Sequence, residues 1–316
     1  MSVLTLTLNP ALDLTVSLPQ LNAGQVNIAS AGQLGAAGKG INVARVLADL
    51  GHRPYVSGFL GLDNDASFRT LFDRYGIYDD VVRLPGSTRI NVKVSETGGR
   101  VTDINLPGLK AGKGDWARLL ARLETLADRF DHLIVAGSLP PGVSPAQLEG
   151  MIEMWRERGK RVWLDTSGEA LSAGIRGMPE LIKPNLAELE ELTGSAINDD
   201  QALAGCVGQL QQSGIAQVVV SAGAGGVYWF GPERHWRAHV PAVEVISTVG
   251  AGDSLVAGLC AGMLEGLSAP DNLRRAVALS LMAVTQVGVG IYCRKTLAAF
   301  QQKIHIEPLM LGGAHQ

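Results

Sequence analysis

The sequence predicts an α/β fold organised around a doubly wound, mostly parallel sheet. The 316 residues are 46% hydrophobic and include 39 glycines but only 5% aromatic residues, a balance typical of α/β proteins with many tight strand-to-helix turns. Short apolar runs alternate with amphipathic helical runs over most of the chain. Two early stretches instead carry strand patterns without a helix between them, which predicts a second, smaller sheet.

The first predicted element is a strand over Val3–Leu8, where apolar and polar residues alternate up to Asn9-Pro10. A second alternating run covers Leu12–Leu18. Asp13 lies at the junction of the two runs, and spacing alone favours a solvent-facing carboxylate at that position.

The stretch Leu34–Gly51 begins as a glycine-rich loop and continues as an amphipathic helix. It differs from a phosphate-binding P-loop because Gln33 stands where the first glycine should be and Gly40 where a Ser or Thr should follow the lysine. Lys39 in this glycine loop is a candidate contact for an anion. The alternative is an ordinary surface lysine.

Strand and helix alternate again over residues 55–84, after which the pattern breaks. Thr88–Val94 and Val101–Leu106 both alternate, and a Gly98-Gly99 turn separates them, so they predict a β-hairpin. Together with the early alternating stretch, this hairpin predicts a small projecting sheet that acts as a lid, formed by about 12–34 and 87–107. The whole chain, 1–316, is predicted to be one domain that carries this lid.

From Asp115 the strand-helix rhythm resumes and continues to residue 285. In such sheets, ligands collect beyond the carboxyl ends of the strands. Ser138, Asn185 and Ser221 each lie at or just after a predicted strand. The turn Gly223–Gly226 lacks the dinucleotide-binding fingerprint, because Tyr228 replaces the last glycine and no helix follows.

The most distinctive stretch is Ser247–Ser254, a glycine-rich turn that opens an apolar helical run. Glycine allows a bound group to approach the backbone, and the start of a helix attracts anions. A carboxylate at such a place has no phosphate-binding purpose unless it handles a proton or a metal, which makes Asp253 a candidate catalytic base. The alternative is an aspartate that only caps the helix.

Charge and composition exclude several classes of function. Lys+Arg 27 against Asp+Glu 30 gives a net charge of -3 with scattered basic residues, so no nucleic-acid partner is expected. The three cysteines are far apart, which argues against a disulfide framework or a zinc site, and we interpret them as reduced packing residues. No apolar run approaches the ~20 residues that span a bilayer, so no membrane partner and a cytoplasmic location are expected.

Six stretches, taken together, resemble the ribokinase-like family of carbohydrate kinases over nearly the whole chain. Within that family the likeness is greatest to enzymes that act on fructose 1-phosphate, and kinases of fructose 6-phosphate and tagatose 6-phosphate are near neighbours. The stretches are Asn9–Asp13, Ala36–Ala44, Thr88–Lys93, Asn185 with Glu188, Ser221–Gly226 and Ser247–Ser254.

The resemblance implies an enzyme that uses ATP and Mg²⁺ to phosphorylate fructose 1-phosphate at its 6-hydroxyl, giving fructose 1,6-bisphosphate. It further implies a homodimer formed through the lids, and a monovalent cation as an additional cofactor. The sequence departs from the family pattern after Gly290, where contacts to that cation or to adenine would fall. Three alternatives remain: a kinase of another ketohexose phosphate, a nucleotide-binding regulator without turnover, and a dehydrogenase.

The resemblance also assigns roles to individual residues. Asp253 would be the base, and the amides of Gly250, Ala251 and Gly252 would stabilise the transferred phosphoryl group. At its ordinary pKa near ~3.9 the Asp253 carboxylate would be a weak base that acts mainly through alignment. The implied sugar phosphate site contains Asp13, Gly38, Lys39, Gly40, Asn42, Arg89, Asn91 and Ser138. The implied nucleotide site contains Lys183, Asn185, Ser221, Gly223, Gly226, Thr248, Gly250 and Gly252, and the implied Mg²⁺ contacts, through water, are Asn185 and Glu188. The spacing of that pair alone favours the alternative, a helix N-cap at Asn185 followed by a glutamate in the first turn.

Overall fold

The computed structural model describes residues 3–310 and contains two sheets. The predicted span of 1–316 therefore includes residues 1–2 and 311–316, which lie outside the described residues. The larger sheet has ten strands: β1 Val3–Thr7, β4 Tyr55–Gly61, β5 Tyr78–Leu84, β8 His132–Ala136, β9 Arg161–Asp165, β10 Leu181–Ile182, β11 Gln217–Ser221, β12 Val227–Phe230, β13 His235–His239 and β14 His305–Pro308.

The strand order of the larger sheet is β14-β13-β12-β11-β10-β9-β8-β1-β4-β5. Neighbouring strands from β11 to β5 pair in parallel, and β12, β13 and β14 add an antiparallel edge. The predicted mostly parallel, doubly wound sheet is thus confirmed. Because both faces of a parallel sheet must be covered, its central strands are rich in apolar residues, and β1 is buried along its whole length, its two threonines included.

Helices cover both faces of this sheet, and each face has its own apolar layer. The fully buried Trp155 and Phe130 belong to one layer, and the apolar helix α8 belongs to the other. The helices are α1 Lys39–Asp49, α2 Ala66–Tyr75, α3 Lys113–Ala127, α4 Pro145–Glu157, α5 Gly168–Arg176, α6 Leu186–Thr193, α7 Asp200–Gln212, α8 Ala251–Leu264, α9 Ala269–Val284 and α10 Arg294–Lys303. Within residues 3–310, none of them combines the length and the apolar character needed to cross a bilayer.

The smaller sheet has the order β3-β2-β6-β7, with β2 Ala11–Leu18, β3 Ala31–Ala37, β6 Ile90–Glu96 and β7 Val101–Ile104. The two outer pairs are antiparallel, whereas β2 and β6 are parallel and place Asp13 opposite Asn91. These strands come from the two regions that the sequence assigned to a small sheet. Whether that sheet serves as a lid is a question of function.

The structure corrects the interpretation of residues 34–37 as a glycine loop. They belong to β3, which runs to Ala37 and pairs with β2, and α1 begins immediately afterwards at Lys39. The pairing satisfies backbone groups that a loop would leave to water. Lys39 therefore stands on a helix, not in a mobile loop. Cys293 is also corrected, because it is exposed and not a packing residue.

The sequence analysis considered α6 only as a possible helix start at Asn185, and it did not predict α5, α10 or β14. The three helices have ten residues or fewer, too few for a clear helical periodicity. Strand β14 pairs with β13 across a long sequence separation, so its four residues carry no local signal of that pairing.

The strand order reverses between β1 and β8. From β1 the chain proceeds to β4 and β5 on one side, and then returns to β8 on the other side of β1. In open α/β sheets, a crevice forms outside the carboxyl ends of the strands at such a reversal and is the usual place for a ligand.

Candidate active site

A cavity of about 380 Å³ lies at this reversal of strand order. It is lined by the ends of β1 and β8, one face of the smaller sheet, and the first turns of α1 and α8. The lining residues named by the sequence analysis are Asp13, Gly38, Lys39, Asn42, Arg89, Asn91, Ser138, Thr248, Gly250, Gly252 and Asp253. Those it missed as site residues are Asn9, Ala11, Ala37, Lys93, Gly137, Ser167 and Val249.

The turn before α8 exposes backbone amides to the cavity. Gly250 is the residue before the first helical turn and has a positive φ of 77°, a conformation that glycine adopts without strain. Glycine is also required by packing, because a Cβ there would lie 1.9 Å from Cγ1 of Val289. No side chain of residues 3–310 caps this helix end. The amides of the first turn are thus available to an anion.

Asp253 lies in the first turn of α8 and is only 5% exposed. Asn42 on α1 donates a hydrogen bond from Nδ2 to Oδ2 of Asp253 at 2.7 Å. Burial, together with repulsion from Asp165, raises the pKa of Asp253 to about 6. The expectation of an ordinary pKa near ~3.9 was therefore wrong. A carboxylate with the higher pKa is a stronger base that is still largely ionised at neutral pH.

Arg89 immediately precedes β6, and its side chain binds only backbone carbonyls among residues 3–310. Its Nε donates to the oxygen of Pro10 at 3.3 Å, its Nη1 to that of Leu106 at 2.7 Å, and its Nη2 to that of Asn9 at 2.9 Å. Within residues 3–310 it forms no ion pair. Burial lowers the pKa of this guanidinium, and the cavity therefore contains a half-buried cation whose charge an anionic ligand would compensate.

Lys39, by contrast, already has an anionic partner. Its Nζ lies 3.2 Å from Oδ1 of Asp165, which is itself buried at the end of β9. Attraction to Asp165 raises the pKa of Lys39. Asp165 is a residue that the sequence analysis missed, although its position at the end of a predicted strand was a usable signal.

The opposite wall of the cavity is polar and already hydrogen-bonded. Asn91 Nδ2 donates to Oδ1 of Asp13 at 3.1 Å, as their cross-strand register allows. Asn9 Nδ2 donates to Oγ of Ser138 at 3.1 Å and so links the ends of β1 and β8. The second oxygen of Asp13 and the hydroxyl of Ser138 can take part in bonds to the hydroxyls of a bound molecule.

Two predicted glycines have a packing role that the sequence analysis did not identify. Gly40 does not line the cavity, because it packs on β1, where a Cβ would lie 2.5 Å from Oγ1 of Thr7. At Gly226 a Cβ would lie 2.0 Å from the carbonyl oxygen of Ala238 in β13. Close backbone approach explains both glycines. Ala251 also lies outside the cavity lining, and its amide makes only a long bond, 3.5 Å, to Thr248.

The remaining residues of the predicted nucleotide site lie at the neighbouring strand ends, outside the cavity lining. Lys183 follows β10, Ser221 ends β11, and Gly223 begins the exposed 3-10 turn Gly223–Gly225. An isolated bridge joins Asn185 to Ser221, so the two strand ends adjoin. They form an open shelf beside the turn that precedes α8.

Asn185 and Glu188 form a reciprocal cap at the start of α6. Oδ1 of Asn185 accepts a hydrogen bond from the backbone N–H of Glu188 at 2.8 Å, and Oε2 of Glu188 accepts one from the backbone N–H of Asn185 at 2.9 Å. Within residues 3–310, no group of three or more His, Cys, Asp or Glu side chains could hold a metal ion. This donor set fits Mg²⁺ only if waters and nucleotide phosphates supply the other ligands, which is how Mg²⁺ is often bound.

Comparisons with known proteins agree with this geometry. Residues 6–297 match the pfkB family carbohydrate kinases. The chain is 45% identical over 307 residues to 1-phosphofructokinase of Vibrio cholerae, covering 97% of each protein. It is 42% identical over 306 residues to 1-phosphofructokinase of Escherichia coli K12, covering 97% of this chain and 98% of that one.

Solved structures show the same architecture. Phosphofructokinase-2 of Escherichia coli, in complex with fructose-6-phosphate or with potassium, superposes with a TM-score of 0.86 in both cases, at 27% and 29% identity. Each comparison covers 95% of this chain and 98% of the other. By its sequence over nearly its full length and by its fold, the chain belongs to the pfkB family of carbohydrate kinases.

Proposed function

We propose that this protein transfers a phosphoryl group from ATP to the 6-hydroxyl of fructose 1-phosphate and so produces fructose 1,6-bisphosphate. The observation that carries the proposal is the combination, in one cavity, of a buried base, Asp253, and a half-buried cation, Arg89, that forms no ion pair within residues 3–310. Burial of this guanidinium outweighs its attraction to Asp13, and a neutral sugar would add no compensating charge. The full-length relatives named 1-phosphofructokinase indicate which sugar phosphate is bound.

In the proposed mechanism the phosphate of the substrate binds to Arg89, with Lys39 nearby as a second cation. Two of the five guanidinium N–H groups of Arg89 are not used by the three carbonyls and can reach a phosphate. Asp13 accepts hydrogen bonds from sugar hydroxyls. These contacts orient the sugar with its 6-hydroxyl toward Asp253. Asn42 binds Oδ2 of this carboxylate, and Oδ1 accepts no side-chain hydrogen bond from residues 3–310.

Asp253 then takes the proton of the sugar's 6-hydroxyl as the oxygen of that hydroxyl attacks the γ-phosphorus of ATP. The bond from this phosphorus to the β,γ-bridging oxygen breaks, and ADP leaves. The amides of the first turn of α8 stabilise the negative charge on the transferred group. ATP would lie on the shelf formed by Lys183, Asn185 and Ser221, so that its phosphates approach the cavity from the nucleotide side. Asn185 and Glu188 would hold Mg²⁺ through water, and Mg²⁺ would neutralise charge on the phosphates.

The potassium complex of the related phosphofructokinase-2 supports a monovalent cation as a further cofactor. We place the reaction in the cytoplasm, where its nucleotide and sugar phosphates are available. The second candidate function is the phosphorylation of fructose 6-phosphate, because the same relative has been solved with that sugar.

Steady-state kinetics with ATP and separate sugar phosphates test the proposal. We expect kcat/KM for fructose 1-phosphate to exceed that for fructose 6-phosphate and tagatose 6-phosphate, and unphosphorylated fructose to be a poor substrate because it leaves Arg89 uncompensated. A higher kcat/KM for fructose 6-phosphate would replace the proposed substrate by the second candidate. Absence of turnover with every sugar phosphate would refute the kinase.

We further propose that the smaller sheet forms a lid over the sugar and pairs with the same sheet of a second copy. In the connection between its strands β2 and β3, Val26 is 93% exposed and Ile28 is 84% exposed, and Ile104 on β7 is 51% exposed. Large apolar side chains exposed on one small sheet mark a candidate interface.

Replacing Ile28 by Asp should therefore weaken the dimer, since the charge would have to be buried between the two sheets. Sedimentation velocity at micromolar protein should show the wild type as a dimer and Ile28→Asp shifted toward monomer. Leu267→Asp, which adds the same charge at an exposed leucine outside the smaller sheet, should remain dimeric. Equal sedimentation of the wild type and Ile28→Asp would contradict the proposed interface.

A further inference from the structure

Asp165 is a buried carboxylate that connects two lysines from different parts of the chain. Its Oδ1 lies 3.2 Å from Nζ of Lys39 and 3.3 Å from Nζ of Lys183, and its side chain is 2% exposed. Its Oδ2 is also buried and has no hydrogen-bond partner among residues 3–310. One oxygen therefore holds both cations.

The two lysines come from different elements and both lie beside the first turn of α8. Lys39 lines the sugar cavity at the start of α1. Lys183 lies next to the turn, because its Nζ is 3.2 Å from the place where a Cβ on Gly252 would be. The first turn of α8, which would stabilise the transferred phosphoryl group, thus has two cations beside it, one from the sugar cavity and one from the strand end next to the proposed nucleotide shelf.

We propose that Asp165 is a positioning residue for phosphoryl transfer, which holds Lys39 and Lys183 in fixed places beside the turn that precedes α8. Long lysine side chains sample many rotamers, and shared ion pairs to a buried carboxylate restrict them before the substrate arrives. The inference rests on the proposed kinase function and deepens it, because it assigns a role to a residue that contacts neither substrate.

Asp165 also acts on the proposed base through its charge. The ionisable groups that face Asp253 are Asp165 at the end of β9, Lys39 on α1 and Lys183 after β10, and Asn42 on α1 adds a hydrogen bond. Asp165 raises the pKa of Asp253, whereas Lys39, Asn42 and Lys183 lower it. Removing the charge of Asp165 should therefore lower the pKa of Asp253.

The test is the pH profile of kcat and of kcat/KM for Asp165→Asn, measured with ATP and fructose 1-phosphate. We expect kcat to fall by about 10- to 100-fold because the lysines lose their anchor. We also expect the acidic limb of the kcat/KM profile, which reports the ligand-free protein and lies near pH 6 in the wild type, to move to lower pH. KM for the sugar phosphate should change less than kcat. A loss of kcat that is uniform over pH, with an unmoved acidic limb, would show a merely structural role and overturn the proposal.

Loss of a buried charge partner can also unfold a protein. A second variant that keeps the charge therefore separates the effect of charge from that of geometry. Asp165→Glu keeps the charge and moves the carboxylate by one methylene group. We expect kcat of this variant to fall by about 10-fold or more, and the acidic limb of its pH profile to stay at the wild-type pH. A kcat equal to that of the wild type would contradict the positioning role.

Asp131→Asn is the matched control, because Asp131 also pairs with a lysine, Lys160 at 3.5 Å, but is 70% exposed at the opposite end of the strands. Its profile should match that of the wild type. An inactive wild type would refute the kinase itself. An active wild type with an unmoved limb in Asp165→Asn would refute only this inference.

Discussion

Replacing Asp253 by Asn should lower kcat by about 100- to 10,000-fold, the range expected when a general base is lost. The amide keeps the shape of the side chain but cannot accept the proton of the 6-hydroxyl. The affinity for ATP should change little, because the side chain of Asp253 is not part of the proposed nucleotide shelf. Initial-rate kinetics with fructose 1-phosphate and ATP measure both effects. Retention of more than a tenth of wild-type turnover would exclude Asp253 as the base.

Stability provides a check that this loss is chemical. The pKa of Asp253 is raised in the folded protein to about 6, above its unfolded value near ~3.9. Ionised Asp253 therefore destabilises the fold at neutral pH, and this penalty disappears as the pH falls below the unfolded pKa. Asp253→Asn should thus unfold at a temperature no lower than that of the wild type at pH 7.

The control is Asp271→Asn, which changes an aspartate at the same position in the first turn of α9. This side chain is exposed and pairs with Arg274, far along the chain from the glycine turn. Its kcat should equal that of the wild type.

The wild type should in addition lose activity as the pH falls through about 6, because protonated Asp253 cannot act as a base.

Arg89→Ala should raise KM for fructose 1-phosphate by roughly 10- to 150-fold and leave KM for ATP nearly unchanged. A lost hydrogen bond to a charged group costs about 1.5 to 3 kcal/mol, which gives this range. Arg89 is the half-buried cation of the cavity that lacks an acidic partner among residues 3–310. A change below about twofold would mean that Arg89 serves only to hold the surrounding loops.

Arg89 also binds three carbonyls, so its loss could act through loop disorder. Arg89→Lys separates the two effects, because it keeps the charge and loses the forked geometry. We expect an intermediate KM for the sugar phosphate. Arg100→Ala is the matched control, since Arg100 belongs to the same hairpin, is 64% exposed and pairs with Glu96. An increase in KM for ATP alone in Arg89→Ala would move Arg89 to the nucleotide side.

Strand and helix patterns predicted most of the larger sheet correctly because its strands are apolar and its turns are rich in glycine. The same patterns cannot report pairing between distant segments, so the parallel register of β2 with β6 and the position of β14 required the structure. The residues of the cavity were found mainly where a motif surrounds them, as for Asp253 and Arg89.

Asp165 shows what motifs leave out. It ends a strand without a distinctive neighbour, and it acquires its two lysine partners only through folding. Asn9 belongs to a recognised stretch, Asn9–Asp13, but its bond to Ser138 likewise depends on the fold. The raised pKa of Asp253 had the same origin, because burial and the charge of Asp165 arise from contacts between distant segments. The glycine at position 40 was assigned to ligand binding because its packing on β1 is invisible in the sequence.

The most direct test of the proposed reaction is the ³¹P NMR spectrum of the product formed by the wild-type protein from ATP, Mg²⁺ and fructose 1-phosphate. We expect the resonance of the 1-phosphate to persist, a new phosphate ester to appear on carbon 6, and ADP to form in equal amount. Release of inorganic phosphate without a new ester, or a phosphate at another hydroxyl, would contradict the transfer to the 6-hydroxyl.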